Sequence, residues 1–509
     1  MAQCVARRSR AERILAWFVP DLALTAAVAT LVCLFALFDG ASSLFRDSDA
    51  GWHIRNGERI LASATLPSVD PFSFSKADAP WIAWEWGADV ASGLVHQASG
   101  LRGVALIYGL AIAAMVWMWF RLNRAAGGNF LLTALFAAPM LSTTNLHWLA
   151  RPHVFSWLFL LGTVWFCERM PQDLRWWHWA GVAAGAMVWA NFHGSFFFAP
   201  LIALVYAAGA VIRPLIWAGE ARGPVRGYLL VAGLAAFGTL INPSGWQLHQ
   251  HVWNYLTDSA LLDRIGEFQS FNFHAEGAGQ IMLALALGML GGFAALAVRR
   301  PERFLLAVLL TIAALRMARA LPVAALLLLP LANGSLTSAL SLMRGLTRQL
   351  RQRLDDVLSY GDRLGALDRR FHGLGLVPLI ALLTFAGAGH AARFPADQFP
   401  VAAAGAVTSL PADARIFAPD KFGGYLIYRF DGARKVFFDG RSDFYGAAFL
   451  KTYARIVQAR PGSREEFADW HFTHALLPPD YALVAALKAD GWTESYRDKT
   501  AVLLTGVTY

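Results

Sequence analysis

The 509-residue chain is 56% hydrophobic and only 16% charged, with a mean hydropathy of +0.43, far from the roughly 25% charged content of soluble domains. This balance excludes an ordinary soluble globule and makes the lipid bilayer the first expected partner. The net charge of +9 forms no basic stripe interleaved with exposed aromatics, so no nucleic-acid partner is expected.

The basic start "MAQCVARRSRAER" leads into an apolar run from Pro20 to Phe38. That run is longer than the core of a cleavable signal, and an uncleaved first span is expected. Hydropathy then marks about eleven candidate spans in all. After the first they fall near Leu101–Phe120, Phe130–Leu146, Val154–Cys167, Trp177–Ala190, Ser195–Ile212, Tyr228–Ile241, Gln280–Val298, Phe304–Ala318, Ala320–Leu336 and Leu374–Gly389. If every run crosses, the arginines before the first span, those at Arg121, Arg169, Arg213 and Arg299, and the dense Arg344–Arg370 stretch share one side. By the positive-inside rule that side is the cytoplasm, with the N-terminus inside and the C-terminal tail outside. Cys4, Cys33 and Cys167 show no CxxC spacing and suggest no bridge.

Two polar regions stand apart from the spans. The first outer loop, residues 39–100, is far longer than an ordinary connection and is expected to carry structure and function of its own. Its "APWIAWEWGADV" piece reads as an amphipathic aromatic segment lying on the membrane surface. The second region is the tail, 391–509, following a membrane domain of residues 1–390. Here "ARIFAP", "KVFFDGR", "HALLP" and "TAVLL" predict strands, while "GAAFLKTYARIV" and "YALVAALKAD" predict helices. The expected fold is thus mainly α: a polytopic helical bundle with a long structured loop and a small outer α/β domain.

Candidate chemistry gathers at the outer ends of the spans. Asp47 and Asp49 open the first loop, followed by His53. An interfacial carboxylate can act as a general base or a metal ligand, and an aspartate there can equally cap a helix starting near Ala50. Glu85, between Trp84 and Trp86, tilts the balance toward function. No HxxxH or HExxH spacing involves His53, so a divalent metal stays open as a cofactor. Arg151 and His153 flank Pro152, and Asn191 and His193 lie in "NFHGS"; each is read either as a substrate contact or as ordinary span-end polarity. Arg316 and Arg319 are three apart, placing them on one helical face in an apolar setting. Arginine at that depth costs about 2.5–3.5 kcal/mol to insert and usually faces water or an anion, which favours a phosphate. Glu267 is a candidate substrate contact against the blander reading of a loop acid. Asp439, Arg441 and Asp443 in "FFDGRSDFYG" follow a predicted strand, where loops often bind ligands; the preferred reading is an internal Asp–Arg pair stabilising a turn.

The motifs "DSDAGWHIRNGERIL", "PSVDPFSFS", "WIAWEW", "ARPHVFS", "NFHGSF", "INPSGW" and "VFFDGRSDFYG" together resemble bacterial multi-span proteins related in layout to the GT-C superfamily of glycosyltransferases. The resemblance covers most of the chain. It implies transfer of a sugar from a polyprenyl-phosphate carrier to an acceptor at the outer face of the bacterial cytoplasmic membrane, with inversion. It also implies that the catalytic base is Asp49 or Asp47, early in the first loop. His53, Glu85, Arg151, His153, Asn191, His193, Glu267, Arg316 and Arg319 are then candidate contacts for the donor and acceptor. Two other functions compete: a transporter or flippase for a lipid-linked glycan, and a noncatalytic assembly protein recruiting partners through its outer domain. Transporters usually place polar groups near the midplane between repeated halves, whereas here they gather at one face.

Overall fold

The structure is a computed structural model describing residues 10–171, 173–388 and 391–506. Cys4 lies outside the described residues. Each apolar run of the sequence is helical. Among the described residues five helices are long and apolar enough to cross a bilayer: Ile14–Ala36, Trp86–Ala125, Gly194–Ile216, Ala278–Ala297 and Ala318–Leu342. Shorter apolar helices occupy Phe130–Asn145, His153–Glu168, Val225–Thr239 and Leu374–Gly387. Large side chains such as Trp119, Trp189, Tyr108 and Phe136 are fully buried between helices, while Leu, Phe and Ile side chains along the outer faces stay exposed, as expected of a bundle whose solvent is lipid.

The bundle ends are polar in different ways. At one end Glu168 pairs with Arg303 at 2.7 Å and with Arg300 at 3.1 Å, and Arg213 pairs with Glu302 at 3.2 Å. The other end carries the first loop, which is folded as expected. A 3-10 turn, Gly40–Phe45, leads into the helix Asp49–Ser63. The chain then enters the 40-residue helix Trp86–Ala125, whose axis breaks at Ser99 and Gly100. Gly100 has φ +60°, a conformation that L side chains resist, so the break falls at the residue that tolerates it. The aromatic segment of this loop is buried in part: Trp52 and Trp81 are 5% exposed and cross edge to face at 6.2 Å.

The tail carries one four-stranded sheet, with β1 Ile416–Phe417, β2 His474–Leu477, β3 Thr493–Arg497 and β4 Val502–Thr505. The strand order is β1-β2-β4-β3, with β1 parallel to β2 and the other pairs antiparallel. Three of the predicted strands and both predicted helices are present. "KVFFDGR" is not a strand of this sheet: Val436 makes an isolated bridge to Ser73 of the first loop, and Phe437 and Phe438 are buried as loop residues. Four elements among the described residues of the tail are unforeseen: β3 and the helices Ala404–Thr408, Ser463–Ala468 and Asp420–Arg429.

That helix is what joins tail to bundle. It crosses the Asp49–Ser63 helix with Gly51 so close to the Gly424 carbonyl that a Cβ there would meet the oxygen at 2.1 Å. Arg55 donates to the Tyr428 carbonyl from Nε at 3.0 Å and from Nη2 at 2.8 Å, and the Tyr428 hydroxyl meets His96 at 3.1 Å. A buried ion cluster adds to this seam. Arg441 lies 2.8 Å from Asp70 of the first loop and 2.7 Å from Asp439, with its guanidinium 4.7 Å from the Trp81 ring. The internal Asp439–Arg441 pair read from the sequence is therefore present, and it extends to a loop residue that sequence reading passed over.

Candidate active site

A polar cavity of about 510 Å³ opens between the first loop, the loop-side ends of the helices and the tail. Its walls bring together Asp47, Asp49, Glu85, Arg151, His153, His193, Glu267 and Arg319, residues spread over most of the chain. An apolar groove of about 170 Å³ adjoins it, lined by Trp157, Leu160, Phe198, Leu310, Met317 and Val323 among others. Trp84, His153, His193, Tyr255, Glu267 and Arg319 face both spaces. An amphiphile with a charged head and a hydrocarbon tail fits such a pair of compartments.

Arg151 organises the acidic side. Its Nη1 lies 2.7 Å from Asp47 and 3.2 Å from Glu267, and its Nη2 lies 2.8 Å from Asp49. Three carboxylates around one guanidinium place the cation where a metal would otherwise balance their charge. Among the described residues no group of three or more His, Cys, Asp or Glu side chains is arranged to hold a metal ion.

The two aspartates divide the readings that the sequence left open. Asp47 Oδ1 accepts the backbone N–H of Asp49 at 2.9 Å, closing a turn just ahead of the helix, whose N-cap position is Ser48. Asp49 is the first helical residue and is 5% exposed. Burial, opposed by Arg151 and reinforced by Asp47, Glu267 and Asp439, raises its carboxyl to about 7. A carboxylate with that affinity holds a proton well enough to take one from a hydroxyl near neutral pH. Among the described residues no hydrogen-bond donor reaches its Oδ1. Glu267 behaves in the opposite sense, pulled down to about 2, its burial outweighed by Arg151 and Arg319.

Arg319 is the less committed cation. It lies 3.7 Å from Glu267 and 4.5 Å from the Phe268 ring, at the junction of cavity and groove. Arg316 does not share its face: the Pro301–Arg316 helix ends there, Met317 is extended (φ −137°, ψ 121°), and Arg316 is exposed away from the cavity walls. The expectation of a common helical face fails because the helix stops between the two residues.

The remaining predicted residues sort by depth. His53 is 1% exposed and stands behind the wall, with burial, then Arg151, holding its imidazole well below its usual affinity. Asn191 does not line the cavity: it accepts from Trp86 Nε1 at 2.8 Å and donates to the Met187 and Ile241 carbonyls. His153 Nε2 is 2.8 Å from the His147 carbonyl and turns its ring to both compartments. Sequence reading missed Tyr255, Asp397, Asp420, Lys421 and Gly440, which complete the walls. Four of these belong to the tail, and only their place beside the "FFDGRSDFYG" motif or beside the first-loop seam signals them.

No protein-family model matches the chain, and no curated protein matches its sequence. Solved structures do match in shape. The oligosaccharyltransferase of Archaeoglobus fulgidus, crystallised tethered to an acceptor peptide containing the NVT sequon, superposes with a TM-score of 0.52 at 12% identity, covering 89% of this chain and 68% of that one. ArnT of Cupriavidus metallidurans, crystallised bound to undecaprenyl phosphate, superposes with a TM-score of 0.50 at 14% identity, covering 96% of this chain and 98% of that one. The chain shares the fold of these two structures, and identities this low speak to fold alone.

Proposed function

From this fold and cavity we propose a membrane glycosyltransferase that moves a sugar from a polyprenyl-phosphate carrier to an acceptor hydroxyl at the outer face of the bacterial cytoplasmic membrane. The observation that carries the reading is the vertical order of groups: an apolar groove, Arg319 at its junction with the polar cavity, and Asp49 held by Arg151 within that cavity. A lipid-linked sugar has the same order of hydrocarbon, phosphate and sugar.

In this reading the acceptor oxygen attacks the anomeric carbon as the bond from that carbon to the phosphate oxygen breaks. Asp49 takes the acceptor's proton, and the electron pair leaves on the phosphate. Arg319 stabilises the departing anion, which gathers charge as the bond lengthens. Arg151 does not contact the phosphate; it fixes Asp49 against Asp47 and Glu267. A single displacement without an enzyme nucleophile inverts the anomeric centre.

The test is transfer from a defined polyprenyl-phosphate sugar by purified protein in nanodiscs. Asp49→Asn abolishes transfer while the protein inserts and folds normally, and unimpaired turnover by that variant would remove the assignment. Movement of labelled lipid across proteoliposomes with no new glycosidic bond would favour the transporter reading instead.

A further inference from the structure

Glu85 stands in the cavity wall between two imidazoles. Its Oε2 is 3.7 Å from His53 Nε2, and its Oε1 is 3.6 Å from His193 Nε2. Which ring nitrogen carries a proton is set by the partner of the other nitrogen. His193 Nδ1 accepts the backbone N–H of Ser195 at 3.2 Å. Nδ1 also lies 2.9 Å from Ser156 Oγ and 2.8 Å from Ser195 Oγ; both hydroxyls can donate, whereas the backbone N–H can do nothing else, which favours Nδ1 as acceptor and Nε2–H as the edge facing Glu85 Oε1.

His53 has the reverse polarity. Its Nδ1 lies 2.5 Å from Asp89 Oδ1, while Asp89 Oδ2 receives an N–H from Asn56 at 2.6 Å. An imidazole Nδ1 set against a carboxylate commonly donates to it, which puts the His53 proton on Nδ1 and a lone pair at Nε2. That atom is buried with no hydrogen-bond partner among the described residues. Facing an ionised Glu85 it would set acceptor against acceptor in a site shielded from water, which is costly. A proton on Glu85 Oε2 turns the clash into an O–H···N bond and leaves Oε1 free to accept from His193.

We infer that Glu85 is kept as an uncharged carboxylic acid bridging His53 and His193, a positioning residue for the transfer and not a second base or a cation ligand. The inference concerns the same site as the glycosyltransferase reading and rests on that reading for what is being positioned. The groups around Glu85 are His53 of the Asp49–Ser63 helix, Asp89 and Tyr108 of the Trp86–Ala125 helix, Arg151, His193, Arg319, and Asp443 of the tail. Burial, then Asp89, holds the Glu85 carboxyl well above the usual range, against the pull of Arg151 and Arg319. Both imidazole contacts are longer than hydrogen bonds, as is common before substrate closes a site. The bridge ties the Trp84–Trp86 segment to the His193 turn, the part of the wall shared by cavity and groove.

A carboxamide can make both bonds of a neutral acid: NH2 to His53 and oxygen from His193. The experiment compares wild type, Glu85→Gln and Glu85→Ala as full-length protein in nanodiscs. Difference infrared spectra at neutral pH show in the wild type a protonated-carboxyl carbonyl band distinct from that of the partly protonated Asp49, and Glu85→Gln lacks it. Glu85→Ala lowers transfer by about tenfold or more, and Glu85→Gln rescues most of that loss. Absence of the band, its persistence in Glu85→Gln, or equal losses in both variants would overturn the inference. The spectra do not depend on turnover, so an active Asp49→Asn protein would sink the glycosyltransferase reading while leaving the charge state of Glu85 decided.

Discussion

A methyl group on Gly440 should disable the protein without unfolding it. Gly440 sits in the tail between Asp439 and Arg441, and a Cβ built on it falls 1.8 Å from Asp49 Oδ1 and 2.7 Å from Asp49 Cγ. Gly440 is not among the glycines with positive φ, so its backbone would accept alanine, and the conflict is with the carboxylate alone. Relief needs a relative shift of about an ångström or more. Arg151 at 2.8 Å holds the carboxylate, and the buried Asp439–Arg441–Asp70 cluster holds the glycine. Overpacking of this kind costs about 1–3 kcal/mol of stability, whereas a misplacement of about 1 Å at a reacting group costs about a hundredfold in rate, equivalent to about 2.7 kcal/mol of barrier. Gly440→Ala is therefore expected to fold and insert, to bind lipid-linked donor with little change in KM, and to lose about a hundredfold in kcat. Gly405→Ala, where a Cβ would meet nothing within 4 Å, is the control. Turnover by Gly440→Ala within twofold of wild type would refute the claim that the tail fixes the position of Asp49.

Transfer should rise with pH through about 7, because the Asp49 carboxyl is raised to that value and only its ionised form accepts a proton; a rate flat from pH 5 to 8 would contradict its role as base. Arg319→Ala should raise the KM for donor and lower kcat, since its phosphate contact strengthens as the leaving group gains charge, whereas Arg316→Ala should leave both near wild type; equal effects would put Arg316 back at the site. Arg441→Met leaves Asp70 and Asp439 buried without their cation, a loss of about 3–5 kcal/mol, and limited proteolysis should then release the tail from the bundle; unchanged protection would argue against the clasp. An alkaline-phosphatase reporter joined to the C-terminus should be active in cells, and silence there would contradict the proposed orientation.

The helices were legible because runs of about fourteen to twenty predominantly apolar residues admit few other structures in lipid. So was the convergence of Asp47, Asp49, Arg151, His193 and Glu267, since one threading of the spans sends their flanking segments to the same end. What escaped reading depended on contacts across the chain. "KVFFDGR" has the composition of a strand, yet its phenylalanines are buried against the first loop and neighbouring aromatics rather than in the sheet. Arg316 and Arg319 share a periodicity that the helix end at Met317 annuls. Gly440 carries no side chain to notice, and its importance exists only where Asp49, nearly 400 positions earlier, arrives beside it.

The far wall of the cavity is built from the last quarter of the polypeptide, clasped to the first loop through Asp70 and Arg441. During synthesis the bundle is threaded and its carboxylates are in place well before Gly440 leaves the ribosome, so the nascent protein has an open trough where the finished one has a chamber. A sugar reaching that trough would meet bulk water as readily as an acceptor. Completion of the chain thus doubles as the step that seals the chamber, and under the proposed function a product truncated before the tail would be exposed to wasteful hydrolysis.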